Sequence, residues 1–126
     1  MPKRKIKILI VEDEQFLLDL YDLKLNKAGF EVIKALNGTQ GISLAKIELP
    51  DLILLDILMP EIDGYEMLKN LKENPKTKKI PVIIFSNLSQ KNEIEKGLKL
   101  GAKDFIIKTN VTPAEIVDKV KNYLKK

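Results

Sequence analysis

Ile6-Lys7-Ile8-Leu9-Ile10-Val11 is a nearly continuous apolar run, rich in β-branched residues, that stops at three consecutive acids, Glu12-Asp13-Glu14. Such a run, with little alternation between apolar and polar positions, is the pattern of a strand covered on both faces, as in a parallel sheet. Directly after it the period changes. Leu17, Leu20, Tyr21, Leu25 and Ala28 recur at the three- and four-residue spacing of an amphipathic helix, and Gly29 stands where a helix ends in the left-handed conformation.

The alternation of strand and helix continues to the end of the chain. Phe30 to Leu36 reads as a second strand, and Asn37-Gly38 opens a weaker helix carrying Ile42 and Ala45. Pro50 breaks that helix, and Leu52-Ile53-Leu54-Leu55 is a third, buried strand. A loop from Asp56 to Gly64 leads into a helix with Met67, Leu68 and Leu71, and Asp63 and Glu66 stand at capping-box spacing at its start. Pro81 to Phe85 is a fourth strand, Ser89 is placed to cap the next helix, and that helix has only a thin apolar stripe of Ile94 and Leu98. Phe105-Ile106-Ile107 is a short fifth strand. Thr112-Pro113-Ala114-Glu115 is a full helix-start signal, followed by Ile116, Val117, Val120, Tyr123 and Leu124 on one face. Apolar strands alternating with helices predict an α/β fold in three layers, a doubly wound five-stranded parallel sheet. Right-handed crossovers leave few topologies, and five units suit the flavodoxin-like order 2-1-3-4-5.

In such a sheet ligands bind beyond the carboxyl ends of the strands, at the switch point between the first and third. The strand tips there are polar: Glu12-Asp13 after the first, Asp56 after the third, Ser86-Asn87 after the fourth and Lys108-Thr109 after the fifth. Two like charges about 4 Å apart repel by roughly 4 kcal/mol at an effective dielectric of about 20. Three carboxylates on one rim therefore either raise their pKa values or take up a cation. All-oxygen ligands favour magnesium over zinc. A carboxylate beside magnesium and lysine is a competent phosphoryl acceptor, and Asp56, at the head of an irregular loop, is the best placed. Glu12 and Asp13 are then committed to the ion, Lys108 pairs with phosphoryl oxygens and Ser86 donates its hydroxyl to another. Each residue also has a plainer role open to it. Asp13 or Glu14 would suit the positive end of a helix, and Lys108 would serve as an ordinary salt-bridge partner.

Composition narrows the function classes. At 126 residues the chain is expected to be a single domain, 1–126, without an output domain. Hydrophobic residues make up 44% and charged residues 32%, a globular mixture, and no apolar run approaches the roughly 20 residues that span a bilayer. The basic opening Met1 to Lys5 lacks a signal-peptide core, so a cytoplasmic location without membrane insertion is expected. With no cysteine and no histidine, neither disulfides nor a typical zinc site can form. The net charge of +4 comes from lysines spread along the chain, loosely concentrated at Lys3 to Lys7 and Lys69 to Lys79, with aromatics at only 6%. That distribution fits a solvated surface better than direct nucleic-acid binding.

The residues Ile8 to Glu14, then Asp51 to Pro60 with Asp63-Gly64, Pro81 to Ser86 and Gly101 to Lys108 closely resemble a response-regulator receiver domain of two-component signalling, over essentially the whole chain. The resemblance implies phosphorylation of Asp56 by a sensor histidine kinase or a histidine phosphotransfer protein. It implies magnesium held by Asp13, Asp56 and the main-chain carbonyl of Leu58, with Glu12 acting through water. Ser86 and Phe105 fall where the family keeps its hydroxyl and aromatic switches, and the signalling surface would be the fourth helix, fifth strand and fifth helix. A downstream protein target and a weak dimer are compatible with it, and the chain would catalyse only its own phosphorylation and dephosphorylation. Phe105 also has the simpler reading of a core aromatic.

Three positions depart from the family pattern. Thr109 replaces the usual proline after the lysine, so the peptide there is either trans and rerouted or strained. Asn87 stands where a small residue is common and would narrow access. Leu58 has no polar side chain to position a hydrolytic water, so a long-lived phosphoryl state is expected. Two other readings compete. A magnesium-dependent phosphohydrolase with Asp56 as nucleophile usually has a second aspartate two residues on, where Leu58 stands here. A flavin-binding module wants a Ser/Thr/Gly-rich phosphate loop after the first strand, where Glu12-Asp13-Glu14 would repel phosphate.

Overall fold

The computed structural model describes residues 5–125; the basic opening Met1 to Arg4, with most of the Lys3 to Lys7 concentration's amino end, and Lys126 lie outside the described residues. The apolar runs become β1 (Lys7–Val11), β2 (Glu31–Ala35), β3 (Leu52–Leu55), β4 (Val82–Ser86) and β5 (Asp104–Ile107). All pair in parallel, in the order β2-β1-β3-β4-β5. Between and after them lie α1 (Gln15–Lys27), α2 (Gly38–Glu48), α3 (Gly64–Glu73), α4 (Lys91–Lys99) and α5 (Pro113–Leu124). The expected three-layer, doubly wound architecture is what forms.

Side chains alternate across each strand, so one run of leucines and isoleucines feeds two cores. Leu9, Val11, Ile53, Leu55 and Ile84 meet Ala45 of α2 and Met67, Leu68 and Leu71 of α3. Ile8, Ile10, Leu52, Leu54 and Ile83 meet Leu18, Tyr21 and Leu25 of α1 and Ile116 and Val120 of α5. Each such side chain, fully buried, contributes about 1.5–3 kcal/mol, and β1 and β3, at the sheet centre, are closed on both faces.

Local chemistry sets most helix starts. Asn37 accepts a hydrogen bond from the Gln40 amide at 2.8 Å, and Asp63 accepts one from Glu66 at 2.9 Å. Thr112 and Glu115 close a reciprocal capping box at 3.1 and 2.8 Å. The fourth helix departs from expectation. Ser89 makes no cap: Gln90 is still extended, at φ −71° and ψ 140°, and the helix begins only at Lys91 without a side-chain cap bond. Leu98 is 44% exposed and Ile94 half-buried, so the expected stripe is replaced by Gly97, the one buried residue of the helix.

In α1 the buried face is Leu18, Tyr21 and Leu25, whereas Leu17, Leu20 and Ala28 are half-buried. Adjacent leucines at 17 and 18 satisfy the same period, and packing against β1 and α5 selects the second. In α5 Ile116 and Val120 are buried, with Val117, Tyr123 and Leu124 half-buried beside them. Strand limits move by one residue: Phe30 is buried just ahead of β2, Leu36 lies beyond it, Pro81 precedes β4, and Ser86 and Asp104 join β4 and β5.

Tyr123 ties the last helix back to the sheet, its hydroxyl donating to the Asp104 carboxylate at 2.5 Å. Burial, and then this bond to an anion, push the phenol up to about 12. The folded state therefore keeps a proton that the unfolded chain releases near its ordinary value of about 10. The contribution is complete below that lower value and is lost as pH rises toward the upper one. Denaturation midpoints should fall across this alkaline window more steeply in the wild type than in Tyr123→Phe.

Candidate functional site

Parallel register delivers the polar tips to one rim. Val11 pairs with Leu55 and Ser86 with Ile107, so Glu12 and Asp56 leave adjacent strands together and Lys108 leaves beside Ser86. The sequence positions are far apart, yet one carboxylate oxygen from each of Glu12, Asp13 and Asp56 lies within 4.8 Å of the others. Glu12 and Asp56 are buried, at 3% and 7% exposure, and Asp13 faces solvent.

Lys108 holds the buried pair together. Its ammonium donates to Asp56 Oδ2 at 3.1 Å and makes a short hydrogen bond to Glu12 Oε1. The other oxygen of Glu12 accepts from the Glu14 amide at 3.1 Å, and Asp56 Oδ1 accepts from the Leu58 amide at 3.4 Å. Burial pushes the Glu12 carboxyl above its ordinary value; the Lys108 hydrogen bond opposes that shift and the charge of Asp56 adds to it. For Lys108 burial works against the charge, but the Glu12 hydrogen bond and the negative charge of Asp56 outweigh it and hold the ammonium above its usual range. Lysine therefore stays a cation, whereas burial disfavours the charge on Glu12.

The donor set fits a hard divalent ion. It is all oxygen, and one ammonium among three carboxylates leaves about two negative charges uncompensated. Exposed Asp13 keeps the solvent side open, as magnesium requires if it is to keep water and phosphate oxygens. Two segments, one just after β1 and one just after β3, would supply the ligands.

The other residues singled out in the sequence lie as follows. Ser86 is fully buried at the end of β4, its Oγ accepting from the Leu88 amide at 3.4 Å. Phe105 is buried at 9% exposure on β5, next to Ile84. The side chain of Leu58 is 56% exposed. Thr109 resolves the sequence ambiguity: among the described residues no peptide is cis, and Lys108–Asn110 turn as a short 3-10 helix, so the loop is trans and rerouted. Asn87 is exposed and lines a groove with Asp13, Leu58 and Met59.

The structure adds a packing reason for Gly64 and a polar cluster that the sequence pattern did not signal. A Cβ on Gly64 would lie 2.7 Å from the Ile57 Cα and nearer still to the Asp56 carbonyl, so only glycine lets α3 start against the chain that leaves β3. Tyr65, Glu93 and Lys96 line the groove next to the acidic rim. Their contacts span helices distant in sequence.

A family model described as the response regulator receiver domain matches residues 8–121. The chain belongs to the response-regulator receiver domain family. Among curated relatives it is 35% identical over 120 residues to the phosphate regulon transcriptional regulatory protein PhoB of Rhizobium meliloti, covering 95% of this chain and 52% of that protein. It is 37% identical over 102 residues to the response regulator PleD of Caulobacter vibrioides, covering 81% and 22% respectively. The receiver thus spans about half, or less, of the curated relatives it matches. A putative response regulator from Chloroflexus aurantiacus superimposes with a TM-score of 0.89 at 32% identity, covering 98% of this chain and all of the other. A CheY-like receiver domain protein from Methanospirillum hungatei also reaches a TM-score of 0.89, at 27% identity, over 97% and 95%. The chain is a receiver module of two-component signalling, a signalling domain rather than a conventional enzyme, and the phosphohydrolase reading is not favoured. Among the described residues no helix is long and apolar enough to cross a membrane.

Removing the ammonium should expose the mutual repulsion of the rim. Lys108→Met, which keeps the volume, is expected to lower unfolding free energy by about 3 kcal/mol in metal-free buffer, the usual scale for breaking a buried pair. Millimolar magnesium should restore part of that loss by binding the folded state. Chemical denaturation with and without the ion measures both.

Proposed function

We propose that Asp56 is the phosphoacceptor, charged by a sensor histidine kinase or a histidine phosphotransfer protein in the cytoplasm, and that the acquired charge is read by a downstream protein. The observation that carries this reading is the buried Asp56 carboxylate, held by Lys108 and flanked by Glu12 and Asp13 at the mouth of the sheet. A carboxylate oxygen of Asp56 attacks the phosphorus in line. The new P–O bond forms as the bond from phosphorus to the donor nitrogen breaks, and the electron pair leaves with the donor imidazole, which takes up a proton. The Lys108 ammonium is set to follow the phosphoryl oxygens, exchanging one anionic partner for another without leaving the rim.

Asp13, Asp56 and the Leu58 carbonyl, with Glu12 through water, would hold magnesium, which would supply the remaining positive charge at the transferring oxygens. Ser86, buried one strand away, is the hydroxyl that turns to a phosphoryl oxygen, and Phe105 is the ring that follows it. The surface of α4, β5 and α5 then carries the signal, because new charge at the rim gives one arrangement contacts the other lacks. A weak dimer is compatible with the fold, and nothing in the lysine distribution calls for direct nucleic-acid contact.

Incubation with acetyl phosphate and magnesium, followed by intact mass, tests the acceptor directly. The wild type should gain one phosphoryl group and Asp56→Ala none; equal labelling of the two would refute the assignment. In the same samples, the exposed apolar Leu58 offers nothing to orient attacking water. The label should therefore persist for minutes or longer in magnesium buffer, and decay within seconds would contradict this.

A further inference from the structure

Among the nine residues of α4 only Gly97 is buried, no side chain caps its start, and an interior glycine weakens a helix relative to alanine. A helix this short is marginal in water without tertiary support. Its packing at the carboxyl end depends on the missing side chain. A Cβ on Gly97 would overlap the Ile84 side chain and stand 3.2 Å from the Phe105 ring. At the amino end the support is polar. The Tyr65 hydroxyl lies 2.7 Å from the Glu93 carboxylate and 2.8 Å from the Glu93 main-chain carbonyl, and the Lys96 ammonium sits 4.4 Å from the centroid of the same ring.

Tyr65 is itself anchored to the site. It is 7% exposed and follows Gly64, whose amide donates to the Ile57 carbonyl at 3.0 Å and whose bare Cα faces the Asp56 carbonyl. A continuous path therefore runs from the acceptor strand through Gly64 and Tyr65 to α4. It borders a groove between the β3–α3 loop and α4, into which the helix end has room to move. The phenol is held above its ordinary pKa, first by burial and then by the Glu93 carboxylate, so it stays a donor across the physiological range.

We propose that Tyr65 is a latch: its hydrogen bond to Glu93, backed by Lys96 on its ring, fixes α4 against the start of α3, and its release frees α4 to rearrange. The link to signalling rests on Asp56 being the phosphoacceptor; the latch itself does not. Strain at the rim, transmitted through the Gly64 contact, would shift Tyr65 and lengthen the bond. The helix, with so little else buried, then changes position or frays.

Amide hydrogen exchange of residues 91–99 in the full chain provides the test. In the unphosphorylated protein Tyr65→Phe should speed exchange across α4 about five- to tenfold, the size of one lost hydrogen bond, while α3 and the strands keep their rates. Glu93→Ala should give a smaller rise in the same direction, because the main-chain carbonyl still accepts, and the double variant should differ little from Tyr65→Phe alone. Unchanged α4 exchange in both single variants overturns the latch, and so does an equal acceleration of every element. In wild type with phosphoryl incorporation verified by mass, α4 exchange should rise toward that of Tyr65→Phe; verified incorporation without that rise overturns the coupling. If no phosphoryl group is taken up, the acceptor assignment fails instead, and the comparison in unmodified protein still decides the latch.

Discussion

One shared cation governs the rim of this domain. Glu12 and Asp56 are brought out of water by the strands that carry them, and a pair of buried carboxylates at this separation repels by several kcal/mol without compensation. Lys108 supplies that compensation from β5, two strands away from β3 in the sheet order. It leaves Asp13 outside the pair, facing solvent. The rim therefore keeps residual negative charge, which would favour a divalent cation.

That balance depends on where the strands end. From Ile8 to Val11 and from Leu52 to Leu55 the central strands are apolar and buried on both faces, and the first polar residues, Glu12 and Asp56, follow one position beyond them, still buried. The first residue beyond each strand is thus forced to the same edge as its neighbours. The close approach of Gly64 to Asp56 fixes the loop on the other side, so Asp56 is constrained from its strand and from the helix that follows.

This is why much of the site could be read from the chain alone. Near-continuous runs such as Leu52 to Leu55 have a single plausible environment, and the residue after each run inherits its place from the sheet. Where several placements meet the same local rule, sequence was less informative. Leu17 and Leu18 are equivalent by period, and only the packing of α1 on β1 and α5 separates them. Ser89 has the chemistry of a cap, but the backbone at Gln90 delays the helix beyond its reach. Leu98 was expected inside and lies largely outside, since Gly97 brings the helix close along a different line. The Tyr65 to Glu93 contact joins residues 28 apart across two helices, and no local periodicity encodes such a pair.

The partition of the interior into two apolar clusters, one per face of a single sheet, also bears on how such a module can diversify. The chemistry sits at the end of the strands and belongs to neither layer. Outward-facing positions of α2 and α4, where Ile47 is 74% and Leu98 44% exposed, contact neither the carboxylates nor the lysine. Mutational drift or deliberate resurfacing there can proceed while the arrangement of Glu12, Asp56 and Lys108 persists, so the outer face is free to diverge without reinvention of the rim.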